Sequence, residues 1–206
     1  MVDSATIGVL GIQGAISEHI SMMKRIIEET DTNDRVLIVR KEYDLECVDG
    51  LIIPGGESTT ISRFLISNKL FDIIQKRVKD ETLAVMGTCA GCVLIGSDMV
   101  DSIKDVVVLS LMNTKVERNA FGRQKESFEV PLSIKGFDSV FPAVFIRAPV
   151  ILDCWGGCRP LAVVDDQIVM AQQENVLGLS FHPELTDDTR IHRYFFDIVN
   201  TMIQRT

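Results

Sequence analysis

Leu83-Ala84-Val85-Met86-Gly87-Thr88-Cys89-Ala90-Gly91 is the stretch that decides the fold. Its first four residues are a short, uniformly apolar run, the pattern of a strand buried on both faces. Gly87-Thr88-Cys89-Ala90-Gly91 then turns the chain, and an apolar helix follows. The turn has the form G-x-C-x-G, the thiol counterpart of the G-x-S-x-G elbow, in which small flanking residues permit a sharp strand-to-helix reversal.

Outward from this stretch, strands and helices alternate. Thr6–Ile12 is an apolar strand ending in Gly11-Ile12-Gln13-Gly14, and Ile16–Thr30 carries Ile16, Ile20, Met23 and Ile27 at helical spacing. Val36–Val39 and Leu51–Ile53 read as strands, the latter stopped by Pro54-Gly55-Gly56, and helical patterns cross Thr59–Ser67 and Leu70–Lys79. The second half differs. Val116–Asn119, Ser127–Val130, Val144–Arg147, Ala162–Val164, Ile168–Ala171 and Leu177–Ser180 are short strands with turn signals, expected as antiparallel additions on one sheet edge. A closing helix runs from about Thr189 to Gln204, with Ile191, Phe195, Ile198 and Met202 inward. The expected fold is α/β: one domain over residues 1–206, a mostly parallel central sheet with helices on both faces and antiparallel edge strands. Ligands of such sheets bind at the carboxyl ends of the strands, so the loops after Ile12, Ile53, Met86 and Ser180 should converge.

An elbow exposes its central side chain at the top of the sheet. It places the Cys89 sulfur at a helix start, where free N–H groups favour thiolate, and the Ala90 N–H is positioned as an oxyanion donor. A buried structural cysteine is the alternative for the pentapeptide alone. A metal half-site or redox pair, Cys89-x2-Cys92 with Cys154-x3-Cys158, is the other. It fits less well, because Cys92 falls inside a helix whereas such pairs sit on knuckles. Cys154 and Cys158 flank Trp155-Gly156-Gly157, expected as a loop, and receive no role.

A thiolate catalyst needs a base and a third group to orient it. Of three histidines, His19 and His192 fall in amphipathic helices among charged neighbours and are expected at the surface or in helix packing. His182 follows the apolar run Leu177–Phe181, in Ser180-Phe181-His182-Pro183-Glu184. An extended His-Pro-Glu would put His182 and Glu184 on one side, with Glu184 bonding one imidazole nitrogen and the other left for the sulfur. A coincidental turn is the competing reading of this segment alone.

The composition excludes other classes. The chain has 206 residues, 46% hydrophobic, and 21 Lys+Arg against 29 Asp+Glu give a net charge of −8. No basic excess exists to track a phosphate backbone, so nucleic acid is not an expected partner. The longest uncharged stretch, Thr82–Ser97, is too short to span a bilayer, and no membrane association is expected. The amino terminus lacks a signal-peptide pattern, and five cysteines without an export signal imply free thiols and a cytoplasmic location.

These strings together resemble a class I (triad) glutamine amidotransferase, a flavodoxin-like α/β fold. Gly11-Ile12-Gln13-Gly14, Pro54-Gly55-Gly56-Glu57-Ser58-Thr59-Thr60, Val116–Gln124, Val144–Pro149 and Ser180–Thr186 narrow the resemblance to the glutaminase subunit of pyridoxal 5′-phosphate synthase. The match spans nearly the whole chain, in order. It implies hydrolysis of L-glutamine to glutamate, with ammonia passed to a separate synthase subunit in a hetero-oligomer. It implies Cys89 as nucleophile, His182 as base and Glu184 as its orienter, with oxyanion N–H groups from Gly56 and Ala90. It implies glutamine binding by Gly56, Glu57, Ser58, Arg118, Ile146 and Arg147, and coupling to the partner through Gln13. Neither a cofactor nor a metal is expected.

Departures are few. Cys92 stands where an aliphatic residue is expected, and 99–111 and the Cys154–Cys158 loop match no motif. Other readings are a glutaminase serving another synthase, such as that of imidazole glycerol phosphate; an elbow-cysteine stress hydrolase or chaperone; and a non-catalytic docking subunit. The first has a different glycine loop and elbow, the second lacks His-Pro-Glu after a late strand, and the third has no physical reason to keep Cys89, His182 and Glu184 together.

Overall fold

Apolar strands in the first half build a parallel sheet because they carry no polar face to show to water. In the computed structural model, which describes residues 4–30, 33–100, 106–118, 120 and 127–205, β1 (Thr6–Leu10), β3 (Gly50–Ile53) and β4 (Ala84–Thr88) are buried along their whole length. With β2 (Arg35–Val39) on the outside they run parallel in the order β2-β1-β3-β4, and β12 (Val176–Leu179) continues the parallel run beside β4.

Successive strand residues face opposite sides, and each side has its own core. Ile7, Val9, Ile52 and Met86 pack with Met23 and Ile26 of α1 (Ile16–Thr30) and Phe195 and Val199 of α6 (Arg190–Ile203). Leu10, Leu51, Ile53 and Val85 pack on the other side with α3 (Ser58–Ser67), α4 (Leu70–Lys79) and α5 (Ala90–Ile95) through Ile61, Leu65, Ile74 and Val93. Burying each such side chain contributes about 1.5–3 kcal/mol. Helices therefore cover both faces, as expected.

Beyond β12 the sheet turns antiparallel through β11 (Gln167–Gln173) and β9 (Val150–Cys154) to β6 (Met112–Glu117), and β5 (Gly96–Met99) lies parallel to β6 at the edge. β10 (Arg159–Val164) pairs with β11 off this path, while β7 (Ser127–Leu132) and β8 (Phe141–Ile146) form a separate antiparallel pair. The expected set of antiparallel edge strands is thus corrected at two points. The Leu177–Ser180 strand is parallel and interior, because Val-Leu-Gly-Leu is buried on both faces. The 127–132 and 141–146 strands leave the main sheet altogether. The loop expected at Trp155-Gly156-Gly157 is present, with Cys154 before it as the last residue of β9.

Three elements had no sequence signal strong enough to name: β5, β9, and α2 (Glu42–Glu46), whose one buried residue is Leu45. Of the Val116–Gln124 string, Asn119 and 121–124 lie outside the described residues. Among the described residues, no helix is long and apolar enough to cross a membrane.

Candidate active site

Cys89 is the single residue between β4 and α5, at φ 49° and ψ −107°. A side chain with a positive φ is strained, and such strain persists only where the surroundings over-determine it. Three features do so. The Cys89 N–H donates to the Leu179 carbonyl at 2.8 Å. A Cβ on Gly91 would lie 2.1 Å from the Ile53 carbonyl oxygen, and one on Gly87 would lie 2.5 Å from that of Gly91. Glycine at both positions is what allows β3, the elbow and α5 to close on one another.

His182 leaves the sheet with its N–H donated to the Val144 carbonyl at 2.8 Å. Its Nδ1 stands 2.8 Å from Glu184 Oε1. The expected extended His-Pro-Glu is not what achieves this. Pro183–Leu185 is a 3-10 turn, closed by the Leu185 N–H on the His182 carbonyl at 3.3 Å. Proline suits its first position because its fixed φ is helical and its missing N–H would have had no partner there. The contact forms across the turn, and Glu184 is buried beneath it.

Burial disfavours a charged His182, but hydrogen bonds with Cys89 and Glu184, and the charges of both, outweigh it and push the imidazolium up to about 10. At neutral pH His182 is therefore protonated between a sulfur and a carboxylate. Pro54-Gly55-Gly56 packs directly against this pair: a Cβ on Gly55 would come within 2.7 Å of His182 Cε1 and 3.3 Å of Cys89 Cβ.

A cavity of about 240 Å³ opens beside the sulfur. Gly56, Glu57, Ser58, Cys89, Ala90, Val93, Arg118, Ile146, Arg147, Pro149 and His182 line it. Every residue expected to bind glutamine or an oxyanion is among them, while Glu184 and Gln13 stand behind the wall. Val93 is an addition that no motif marked, and Pro149, the last residue of the Val144–Pro149 string, joins the lining without an expected role. Arg118 is mostly buried, with Nη2 3.3 Å from Glu57 Oε1 and Nη1 buried and without a hydrogen-bond partner. Ser58 Oγ is likewise unpartnered. Arg147 is held at φ 45°, a second strained residue on the rim. Gln13 Oε1 accepts the Glu57 N–H at 3.2 Å and crowds Gly56, which has φ 147°. The loops after β1, β3, β4 and β12 thus converge.

Of the two places expected for the other histidines, the surface or helix packing, the structure shows the second: His19 and His192 are completely buried between helices, with His19 Nδ1 2.9 Å from His192 Nε2. The signal was present: His19 sits three residues after Ile16 and four before Met23, on the apolar stripe of its helix. All five cysteines are free thiols. Cys92 lies inside α5, completely buried, and burial pushes its thiol pKa up. Cys154 Sγ and Cys158 Sγ are 3.2 Å apart. Among the described residues no group of three or more His, Cys, Asp or Glu is placed to hold a metal ion.

The class these features define is glutamine amidotransferase. A crystal structure of a glutamine amidotransferase matches with a TM-score of 0.86 and 42% identity, covering 94% of this chain and 98% of that one. Residues 9–201 match the SNO glutamine amidotransferase family, and the chain belongs to that family. Among curated relatives, pyridoxal 5′-phosphate synthase subunit PdxT of Pyrococcus furiosus is 46% identical over 190 residues, 92% of this chain and 96% of its own length. The subunit of the same name from Staphylothermus marinus is 44% identical over 199 residues, 93% and 97%.

Proposed function

We propose that this chain is the glutamine-hydrolysing subunit of pyridoxal 5′-phosphate synthase. It releases ammonia from L-glutamine and delivers it to a synthase subunit in a cytoplasmic hetero-oligomer. The single observation that carries the chemistry is His182, placed between Cys89 and Glu184 on the wall of a cavity that also holds Arg118. Family membership and the shared name of relatives covering nearly the whole chain support the substrate and the partner. Two cores on opposite faces of one sheet support residues 1–206 as a single domain.

In this mechanism the Cys89 thiolate attacks the side-chain amide carbon of glutamine. The oxyanion is held by the Gly56 and Ala90 N–H groups; Ala90 opens α5, so its N–H has no helical partner. Imidazolium His182 gives its proton to the leaving nitrogen, ammonia departs and a γ-glutamyl thioester remains. Neutral His182 then takes a proton from water, hydroxide adds to the thioester, and collapse expels the thiolate and the γ-carboxylic acid, which ionises. Imidazolium and thiolate are restored. Glu184 keeps the Nδ1 proton in place and stabilises the imidazolium, the orienting role of the third triad member.

The unpartnered Nη1 of Arg118 suits the substrate α-carboxylate, and Glu57 suits the α-ammonium. Ser58, the Ile146 backbone and the strained Arg147 fix the rest of the amino acid. Gln13 ties the loop after β1 to Gly56 and Glu57, a route by which a docked partner orders the oxyanion loop. Free ammonia is largely protonated in water and ammonium is a poor nucleophile, so direct delivery to a docked synthase is chemically favoured.

The test is glutamate release from L-glutamine with and without the synthase subunit. Turnover that rises with synthase and disappears in Cys89→Ala is expected. No turnover in either case, with glutamine binding demonstrated, contradicts the proposal.

A further inference from the structure

We propose that His19 and His192 form a buried hydrogen-bond chain that holds Glu184 from behind, so that His19 is a positioning residue for His182. This rests on the catalytic reading of Cys89, His182 and Glu184 above.

Glu184 has two oxygens to satisfy. Oε1 accepts from His182, whereas Oε2 is buried and has no hydrogen-bond partner; His19 Nε2 is 3.5 Å from it. Thr88 Oγ1, on the residue before Cys89, stands 3.5 Å from the same nitrogen. On its other side His19 Nδ1 is 2.9 Å from His192 Nε2. His19, His192 and Thr88 are wholly excluded from solvent, and Glu184 nearly so. Four elements meet here: α1, the end of β4, the 3-10 turn and α6.

Donor and acceptor arithmetic gives the chain a direction. A neutral imidazole has one N–H and one lone pair, and a carboxylate only accepts. Facing Glu184, His19 Nε2 must carry the proton, which leaves Nδ1 as an acceptor. His192 Nε2 must then donate, which leaves His192 Nδ1 a bare lone pair. That atom is indeed buried without a partner. The opposite polarity would set a lone pair of His19 against a carboxylate oxygen.

The titratable groups facing His19 are Glu184, His182 and His192. Burial, then the nearby His192 and His182, hold His19 well below the ordinary histidine range, and burial depresses His192 to about 3. Both rings are neutral at neutral pH. Neutrality is what the site needs: a second cation would compete with imidazolium His182 for Glu184. The His19 N–H, directed at Oε2 from 3.5 Å, opposes turning of the carboxylate and thereby favours the imidazole orientation towards Cys89.

The test uses His19→Met, similar in volume without the donor, and His19→Gln, whose amide can still offer an N–H to Oε2. Each is assembled with the synthase subunit and followed by glutamate release against pH, alongside thermal unfolding. His19→Met should lower kcat roughly 10- to 100-fold, by analogy with removal of the hydrogen-bond partners that orient metal-bound histidines, with KM for glutamine changed less than about twofold. The alkaline limb of kcat/KM should move to lower pH, because an unsupported Glu184 stabilises imidazolium less. His19→Gln should recover most of both effects. A His19→Met enzyme with the wild-type limb, its losses following thermal stability alone and Gln no better than Met, would overturn the proposal. Should His19→Met not fold, His192→Leu tests the same chain one link away: a lowered limb supports it and an unmoved limb overturns it. An inactive wild type, or an active Cys89→Ala, would instead sink the catalytic reading itself.

Discussion

His182 Nδ1 lies 2.8 Å from Glu184 Oε1 with only Pro183 between the two residues. The 3-10 turn brings a ring at the end of a strand onto a carboxylate beneath it; against the cost of burial, Cys89 on one side and this carboxylate on the other hold the imidazolium at about 10. Replacing the carboxylate by an amide removes both the charge and the preference for the Nδ1 proton. Glu184→Gln is expected to lower kcat by about 10²- to 10⁴-fold, the upper figure being that of the equivalent change in a serine triad. The alkaline limb of kcat/KM should fall from near 10 towards the ordinary histidine value of about 6.5. A pH–rate profile of the variant checks both.

Arg118 keeps one half of its guanidinium on Glu57 and leaves Nη1 buried and unpartnered on the cavity wall. A substrate carboxylate held there needs the fork rather than a point charge. Arg118→Lys should raise KM for glutamine about tenfold and Arg118→Met roughly a hundredfold, with smaller changes in kcat. Steady-state kinetics that show a lowered kcat at unchanged KM would place Arg118 elsewhere in the mechanism.

Gly91 faces the carbonyl of Ile53 across a gap that no side chain fits. Since the neighbour is backbone, it cannot step aside cheaply. Gly91→Ala should cost about 2–4 kcal/mol of stability and distort the elbow, whereas Gly157→Ala, whose nearest neighbour would be 3.9 Å away, should stay within about 0.5 kcal/mol. Urea unfolding of the two variants side by side measures the difference.

Buried histidines make stability depend on pH. Unfolded His192 takes up a proton near pH 6.5 and the folded residue only near 3. Its contribution is therefore complete above about 6.5 and is lost as pH falls towards 3, because the unfolded state then binds the extra proton. His19 acts in the same direction. His182 has the opposite sign: raised to about 10, it contributes fully below about 6.5 and loses that contribution as pH rises through 10. Unfolding midpoints taken from about pH 4 to about 8 should fall on the acid side, and the fall should be shallower in His192→Leu.

Much of this was legible in the residues, and what was not has physical reasons. Helices over Ile16–Thr30 and Leu70–Lys79 stand at the expected bounds because their apolar residues recur every three or four positions and nothing interrupts them. The elbow could be read because Gly87 and Gly91 leave room for only one kind of turn around Cys89. Strand partnership could not: whether Val176–Leu179 lies parallel to β4 depends on contacts with residues about ninety positions away, not on its own pattern. Glu42–Glu46 is too short to show a period. His19 and His192 carried the signal of an apolar stripe, but their charged neighbours obscured it. Arg118 and Arg147 look like surface cations in isolation, and only the surrounding strings marked them.

The mechanism requires that Cys89 become acylated by glutamine. Acid quenching of the assembled complex during turnover, followed by peptide mass analysis, tests it most directly. A γ-glutamyl group on the peptide that contains Cys89, absent in Cys89→Ala and more abundant in a variant slowed at thioester hydrolysis, is the result expected. Glutamate release at full rate with no adduct on Cys89, or with the adduct on another of the five thiols, would contradict the account.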